Sequence, residues 1–209
     1  MLGWISEYNE PLNLFVNAAM LIVWALYFQL LLNGYRRSRS SKILVNRANG
    51  HSIRTQCVVA NMSSEAIYVE GIIAEVVGEG DDERITCSLT DHGGSIDPKE
   101  ATDADGYQGP LHSGESVRLG TYQQIIEHVL SQNNWDISTV RHLVLTIVAT
   151  YGPEDRPVAA RREYEIIEKA GRRVLRSDTV ATEQIRSRTE RRKVEELMQK
   201  QVGADRTAG

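Results

Sequence analysis

The chain has 209 residues, 41% of them apolar and 25% charged, with a formal net charge of −4 and 2 cysteines. That balance excludes an intrinsically disordered chain, and the length allows one core of ordinary domain size plus an appendage. Two cysteines exclude the disulfide framework of small secreted domains.

Charge is segregated along the sequence. Residues 1 to 10 hold two acids and no base, whereas residues 36 to 47 hold five bases (Arg36, Arg37, Arg39, Lys42, Arg47) and no acid. Residues 48 to 170 hold twenty acids against nine bases, and residues 171 to 209 ten bases against six acids. A basic collar and a basic tail therefore flank an acidic body.

Leu12 to Asn33 reads LNLFVNAAMLIVWALYFQLLLN, with no ionisable group except the Tyr27 phenol. As a helix, 22 residues rise about 33 Å, enough for a hydrocarbon core of about 30 Å. The acidic N-terminus and the absence of a small-residue cleavage site argue against a cleaved signal peptide, and the run is apolar on every face, unlike a core helix. All the nearby positive residues follow the span, so the N-terminus is expected outside and the rest of the chain in the cytoplasm. Residues 1–11 then form a short extracytoplasmic tail, 12–33 the transmembrane helix and 34–42 a basic juxtamembrane linker. Within the collar, Arg36, Arg37, Arg39 and Lys42 are the expected contacts with the lipid bilayer, each adding about 1 kcal/mol of attraction to anionic headgroups. Ser38, Ser40 and Ser41 read as a solvated linker. Asn17 and Gln29 are amides at hydrocarbon depth, which seek hydrogen-bonding partners and so mark contact with another membrane protein or self-association.

Beyond the collar the period changes to two. KILVNR, SIRTQCVVANM, AIYVEGIIAEVV, RITCSLTD, ESVRLG, HLVLTIVATYG and VAARREYEII are rich in β-branched residues and separated by turn formers. Seven such runs predict an antiparallel β-sandwich of immunoglobulin-like plan over 43–170, a mainly β fold. HLVLTIVATY is apolar on both faces and is expected to be a central strand. Asn61, Ser63 and Ser64 read as a turn, and Arg156, Arg161 and Arg162 as surface charges paired with Glu154, Asp155, Glu163 and Glu165. Thr121 with Gln124 has the form of a capping box, predicting a short inserted helix whose Ile125, Ile126, Val129 and Leu130 close one end of the fold. Cys57 and Cys87 fall in predicted strands and are expected to be buried thiols.

Chemical motifs are sparse. No histidine stands at metal-ligand spacing, and no P-loop, triad or G-x-S-x-G is present. His92 and His112 border a long acidic loop, 92–113, with Asp97, Glu100, Asp103 and Asp105; its DADG segment departs from a calcium loop at Ala101 and His112. No catalytic, metal or cofactor residue is assigned, and the alternatives are a metal-dependent enzyme centred on His92 and His112 or nucleic-acid binding through the Arg-rich C-terminal helix.

From Asp178 or Thr179 to about Val202 the residues favour a charged, solvated helix, followed by a disordered end, within a 171–209 tail. Its arginines could suggest nucleic acid, but the acidic body would repel phosphate, so no nucleic-acid partner is expected. The whole pattern is similar to small membrane-tethered β-sandwich proteins of bacteria. It implies a single-pass protein of the bacterial inner membrane whose work is non-catalytic: an interaction or accessory module serving a membrane complex.

Overall fold

The computed structural model describes residues 9–38, 40–48, 50–79, 83–90, 107–131, 135–154, 156–177, 179 and 181–208; for 9–11, 36–38 and 199–208 it describes the helical backbone alone. The chain divides into two compact units, Met1–Ser40 and Ser41–Gly209.

The first unit is helix α1, Asn9–Ser38. Pro11 sits in its opening turn, where no backbone donor is lost, and neither Gly nor Pro interrupts it before Gly34. Leu12–Tyr35 is long and apolar enough to cross a membrane, and every one of its side chains is exposed. The helix continues through Ser38, so the expected linker at 34–42 is largely helical.

Among its described residues the second unit holds ten strands, two α-helices and a single 3-10 turn at Ile137–Thr139. Strands β1 (Ile43–Ala48), β2 (Gln56–Asn61) and β6 (Ser116–Thr121) make a three-stranded antiparallel sheet in the order β1-β2-β6. The larger sheet runs β10-β8-β7-β3-β4, from β3 (Ile67–Val77), β4 (Arg84–Ser88), β7 (His142–Tyr151), β8 (Val158–Lys169) and β10 (Glu183–Ile185). Two short strands join it at the sides: β5 (Gly109–Leu111) on β3 and β9 (Arg172–Arg176) on β8. Every pairing is antiparallel.

The period-two pattern decides which side chains meet. Val45, Cys57 and Val59 from the small sheet, and Ile72, Ala74, Leu143, Leu145, Ile147, Tyr164 and Ile166 from the large one, share a single buried cluster. Helix α2, Tyr122–Ser131, adds Ile125, Ile126, Val129 and Leu130 to it, as expected. The capping box is formed: Gln124 Oε1 accepts from the Thr121 backbone N at 2.8 Å, and Thr121 Oγ1 accepts from the Gln124 N at 3.2 Å. At the centre of the core the Tyr122 and Tyr164 hydroxyls lie 2.8 Å apart, which satisfies two phenols buried completely.

Three expectations change. First, the tail does not leave the sheet at residue 170. Ala170 and Gly171 both have positive φ, 52° and 67°, the geometry of a two-residue I′ hairpin turn, and the chain folds back as β9. Second, the charged helix, α3, spans Arg188–Ala208 and starts about nine residues later than expected because Ser187 caps it, its Oγ accepting from the Glu190 N at 3.1 Å. Third, α3 runs through the end expected to be disordered; alanine and arginine sustain it there, although Gly203 costs about 1 kcal/mol.

Strand β1 is an edge strand, but its outward backbone groups are occupied. Thr182 Oγ1 accepts from the Val45 N at 2.9 Å and donates to the Val45 O at 3.1 Å, while Gln184 exchanges a similar pair with Ile43. Two side chains thus close the corner between the sheets where a ladder would otherwise stay open.

Candidate functional site

The predicted contacts fall into three places. On α1, Asn17 and Gln29 are both exposed. Twelve residues of continuous helix separate them by about 18 Å along the axis and about 120° around it. They therefore belong to two stripes, Asn13 with Asn17 and Gln29 with Asn33, and one straight partner helix meets one stripe at a time.

In the collar, Arg36 and Arg37 lie on the last turn of α1, and Arg39 lies outside the described residues. Lys42 is exposed, with its backbone N donating to Ser63 Oγ at 2.8 Å and its carbonyl accepting from the Met62 N at 2.8 Å. Ser41 is not part of a solvated linker: it is 6% exposed and its Oγ donates to Glu154 Oε1 at 3.1 Å. Glu154 also receives Arg191 Nη1 at 2.6 Å. One carboxylate on the turn after β7 thereby joins the first residue of the β unit to α3. That end of the unit, with the turns at 62–66, 112–115 and 152–154, is its proximal pole, named only because the chain enters the unit there.

His112 stands exposed on the proximal pole, its backbone N donating to Glu115 Oε2 at 2.8 Å. His92 and the acids Asp97, Glu100, Asp103 and Asp105 lie outside the described residues. Among the described residues no three metal-ligating side chains converge. Neither cysteine forms a disulfide, and burial pushes the Cys57 thiol up to about 12, so the nucleophilic thiolate is suppressed.

The outer face of the large sheet is divided in two. Towards the proximal pole Ile73, Val148, Ala159 and Ile185 form a second apolar cluster under Val194 and Met198 of α3. Val194 is 3% exposed, which gives α3 a docked face rather than a solvated one, worth about 1.5 to 3 kcal/mol. Gly71 makes the fit possible, because a Cβ there would collide with the Met198 thioether. Further along, the strands leave an open groove of about 360 Å³ lined by Glu75, Arg84, His142, Arg161 and Glu163. Arg84 pairs with Glu75 at 2.7 Å, and His142 Nδ1 lies 3.4 Å from Glu163 Oε1, whereas Arg161 has no ion pair among the described residues. Arg162, expected beside Arg161 on the surface, turns inward: it is 5% exposed, 5.6 Å from the Tyr164 ring centroid, and donates to the Thr179 O at 3.0 Å.

Sequence reading missed the α3 dock, although Ser187 with Glu190 was a visible capping signature for where the helix starts. It also missed the groove, which is assembled from four strands and has no local motif.

The chain matches no protein-family model, no curated protein and no solved structure.

Proposed function

We propose that the protein is a single-pass, membrane-anchored, non-catalytic interaction module, with its N-terminus outside and its β unit in the cytoplasm of a bacterial cell. The observation that carries this reading is the joining, in one chain, of an apolar helix with every side chain from Leu12 to Tyr35 exposed to a β unit with its own buried core. An exposed apolar helix of that length is stable when lipid or other membrane helices cover it. The orientation rests on the five bases that follow the span and the two acids that precede it.

In this reading the two facing sheets are an immunoglobulin-like sandwich to which β9, β10 and α3 have been added. The collar, Arg36, Arg37, Arg39 and Lys42, contacts anionic headgroups, and either amide stripe, through Asn17 or Gln29, engages another membrane protein or a second copy. The groove and the α3 surface are what the module presents to the cytoplasm. Nucleic acid is disfavoured: Arg191 is committed to Glu154, Arg192 pairs with Glu196, and the body is acidic.

Two measurements test this. With Ser6→Cys and Ser113→Cys variants in intact cells, a membrane-impermeant thiol reagent should label position 6 alone, since Cys57 and Cys87 are buried; labelling of position 113 alone reverses the orientation. Purification of the full chain in mild detergent should retain a membrane protein or a second copy that Asn17→Leu or Gln29→Leu releases. A wild-type chain that purifies as a bare monomer defeats the accessory reading.

A further inference from the structure

At the pole opposite Ser41, the loop after β1, the first turn of α2 and the β8–β9 hairpin surround a cleft of about 590 Å³. It is lined by Ser52, Arg54, Gln123, Arg172 and Arg173 around the buried Ile53. None of its described lining residues is acidic, although the body that carries it is strongly so. We propose that this cleft binds a soluble ligand through a phosphate group.

The walls are built before any ligand arrives. The Ile53 N donates to the Arg173 O at 3.3 Å, the Leu175 N to the His51 O at 2.6 Å, and the Gln123 N to the Ile53 O at 2.7 Å, so the loop is stitched to both β9 and α2. The Arg54 N donates to Ser52 Oγ at 3.2 Å within the loop itself. Against this frame the Arg54 and Arg172 guanidiniums are exposed and take no hydrogen bond or ion pair among the described residues. Two such groups facing one cleft are an anion site in waiting, because a planar guanidinium offers paired donors to phosphate oxygens and opposing low-dielectric walls focus the field.

Arg173 strengthens the argument. Its guanidinium is anchored, Nη2 donating to the Val140 O at 2.6 Å and Nη1 to the Ile137 O. Burial first, and then repulsion from Arg141, hold it below the usual arginine range despite Asp136 and Glu168 nearby. Its guanidinium is met by two carbonyls and by no ion pair among the described residues. The helix terminus contributes little, since the Tyr122 and Gln123 amides are taken by the Thr55 and Ile53 carbonyls and the Gln124 amide by Thr121. Recognition falls on side chains, which is why the arginines decide it.

Volume and place narrow the ligand. The cleft is much larger than one phosphate and falls in the range of small-molecule sites, so the phosphate would carry an organic body. It lies at the other end of β1, about 20 Å of strand from Ser41, the residue at which the chain enters the β unit, and a free solute of that size is the occupant proposed.

The test uses the full chain in nanodiscs of zwitterionic lipid, with pyrophosphate as the probe at ionic strength matched by chloride. Saturable calorimetric binding is expected, weakened at least tenfold in the Arg54→Gln, Arg172→Gln double variant. The unliganded double variant should melt with the wild type, since neither side chain holds the fold. Absence of saturable binding, or equal binding by a correctly folded double variant, overturns the proposal. Succinate binding as tightly as pyrophosphate would overturn the phosphate assignment. Recruitment of added phosphatidylglycerol vesicles through the same two arginines, without binding of pyrophosphate, would move the source to lipid and overturn the soluble ligand.

Discussion

Asn61 is completely buried and its amide serves three backbone groups: Nδ2 donates to the Glu65 and Leu111 carbonyls, and Oδ1 accepts from the Ser63 N, all at 2.9 Å. Its own N and O bond to Glu115 and Gly114, so one residue ties the end of β2 to two turns. Asn61→Ala leaves three backbone partners unmade, two of them buried, and should cost about 2 to 4 kcal/mol in urea unfolding; a loss below about 1 kcal/mol would show that water replaces the side chain. A second residue-scale consequence concerns pH. The Cys57 thiol is raised from 9.0 to about 12, and burial raises the Tyr122 and Tyr164 phenols as well. As pH climbs past about 9, the unfolded chain releases these protons before the folded one does, so stability is whole below that point and falls above it. Cys57 alone accounts for a loss of up to about 4 kcal/mol by pH 12. Cys57→Ala should flatten the alkaline limb of an unfolding-midpoint profile, and an unchanged limb would exclude the thiol as its cause.

At the scale of elements, legibility followed locality. The strand at 142–151 could be read because ten residues are apolar on both faces, and it lies between β3 and β8 as expected. The inserted helix could be read because Thr121 and Gln124 cap it within three residues. By contrast RRVLR and EQI carry charge, are short, and become strands because β8 offers free edges to them; that partner is invisible in a local window. The missed cue was Ala170-Gly171. An I′ turn wants Asn-Gly, and an alanine at φ 52° costs about 1 kcal/mol, so Ala170→Asn should raise stability by about that much in urea unfolding. The α3 dock was hidden for a different reason, since it depends on a glycine in another strand. Gly71→Val should drive out Met198 and cost about 1 to 3 kcal/mol, with hydrogen exchange rising in α3 first. Gly71→Val combined with Met198→Ala should cost less than the two single changes added together, and strict additivity would place the strain elsewhere in β3.

For the whole molecule, the coarse organisation was plain from charge and hydropathy, which are summed over many residues and survive errors in any one element. The docked α3 and the arginine cleft were not, because each needs residues far apart in the chain to be brought together in space. The corner that Thr182 and Gln184 close against β1 has a further consequence during synthesis. Val45 and Ile43 wait 137 and 141 residues for these partners, about 7 to 28 seconds at about 5 to 20 residues per second. Throughout that interval the first strand has an exposed ladder edge, while α1 has already emerged and is available to anchor the nascent chain. Release-stalled chains ending at residue 176 should therefore stay protease-sensitive around 43–48, and chains completed to residue 209 should become resistant; equal resistance would mean that the β1 edge is protected by something other than its last-made partners. Order of emergence thus makes the final thirty or so residues a checkpoint on the completion of the first strand.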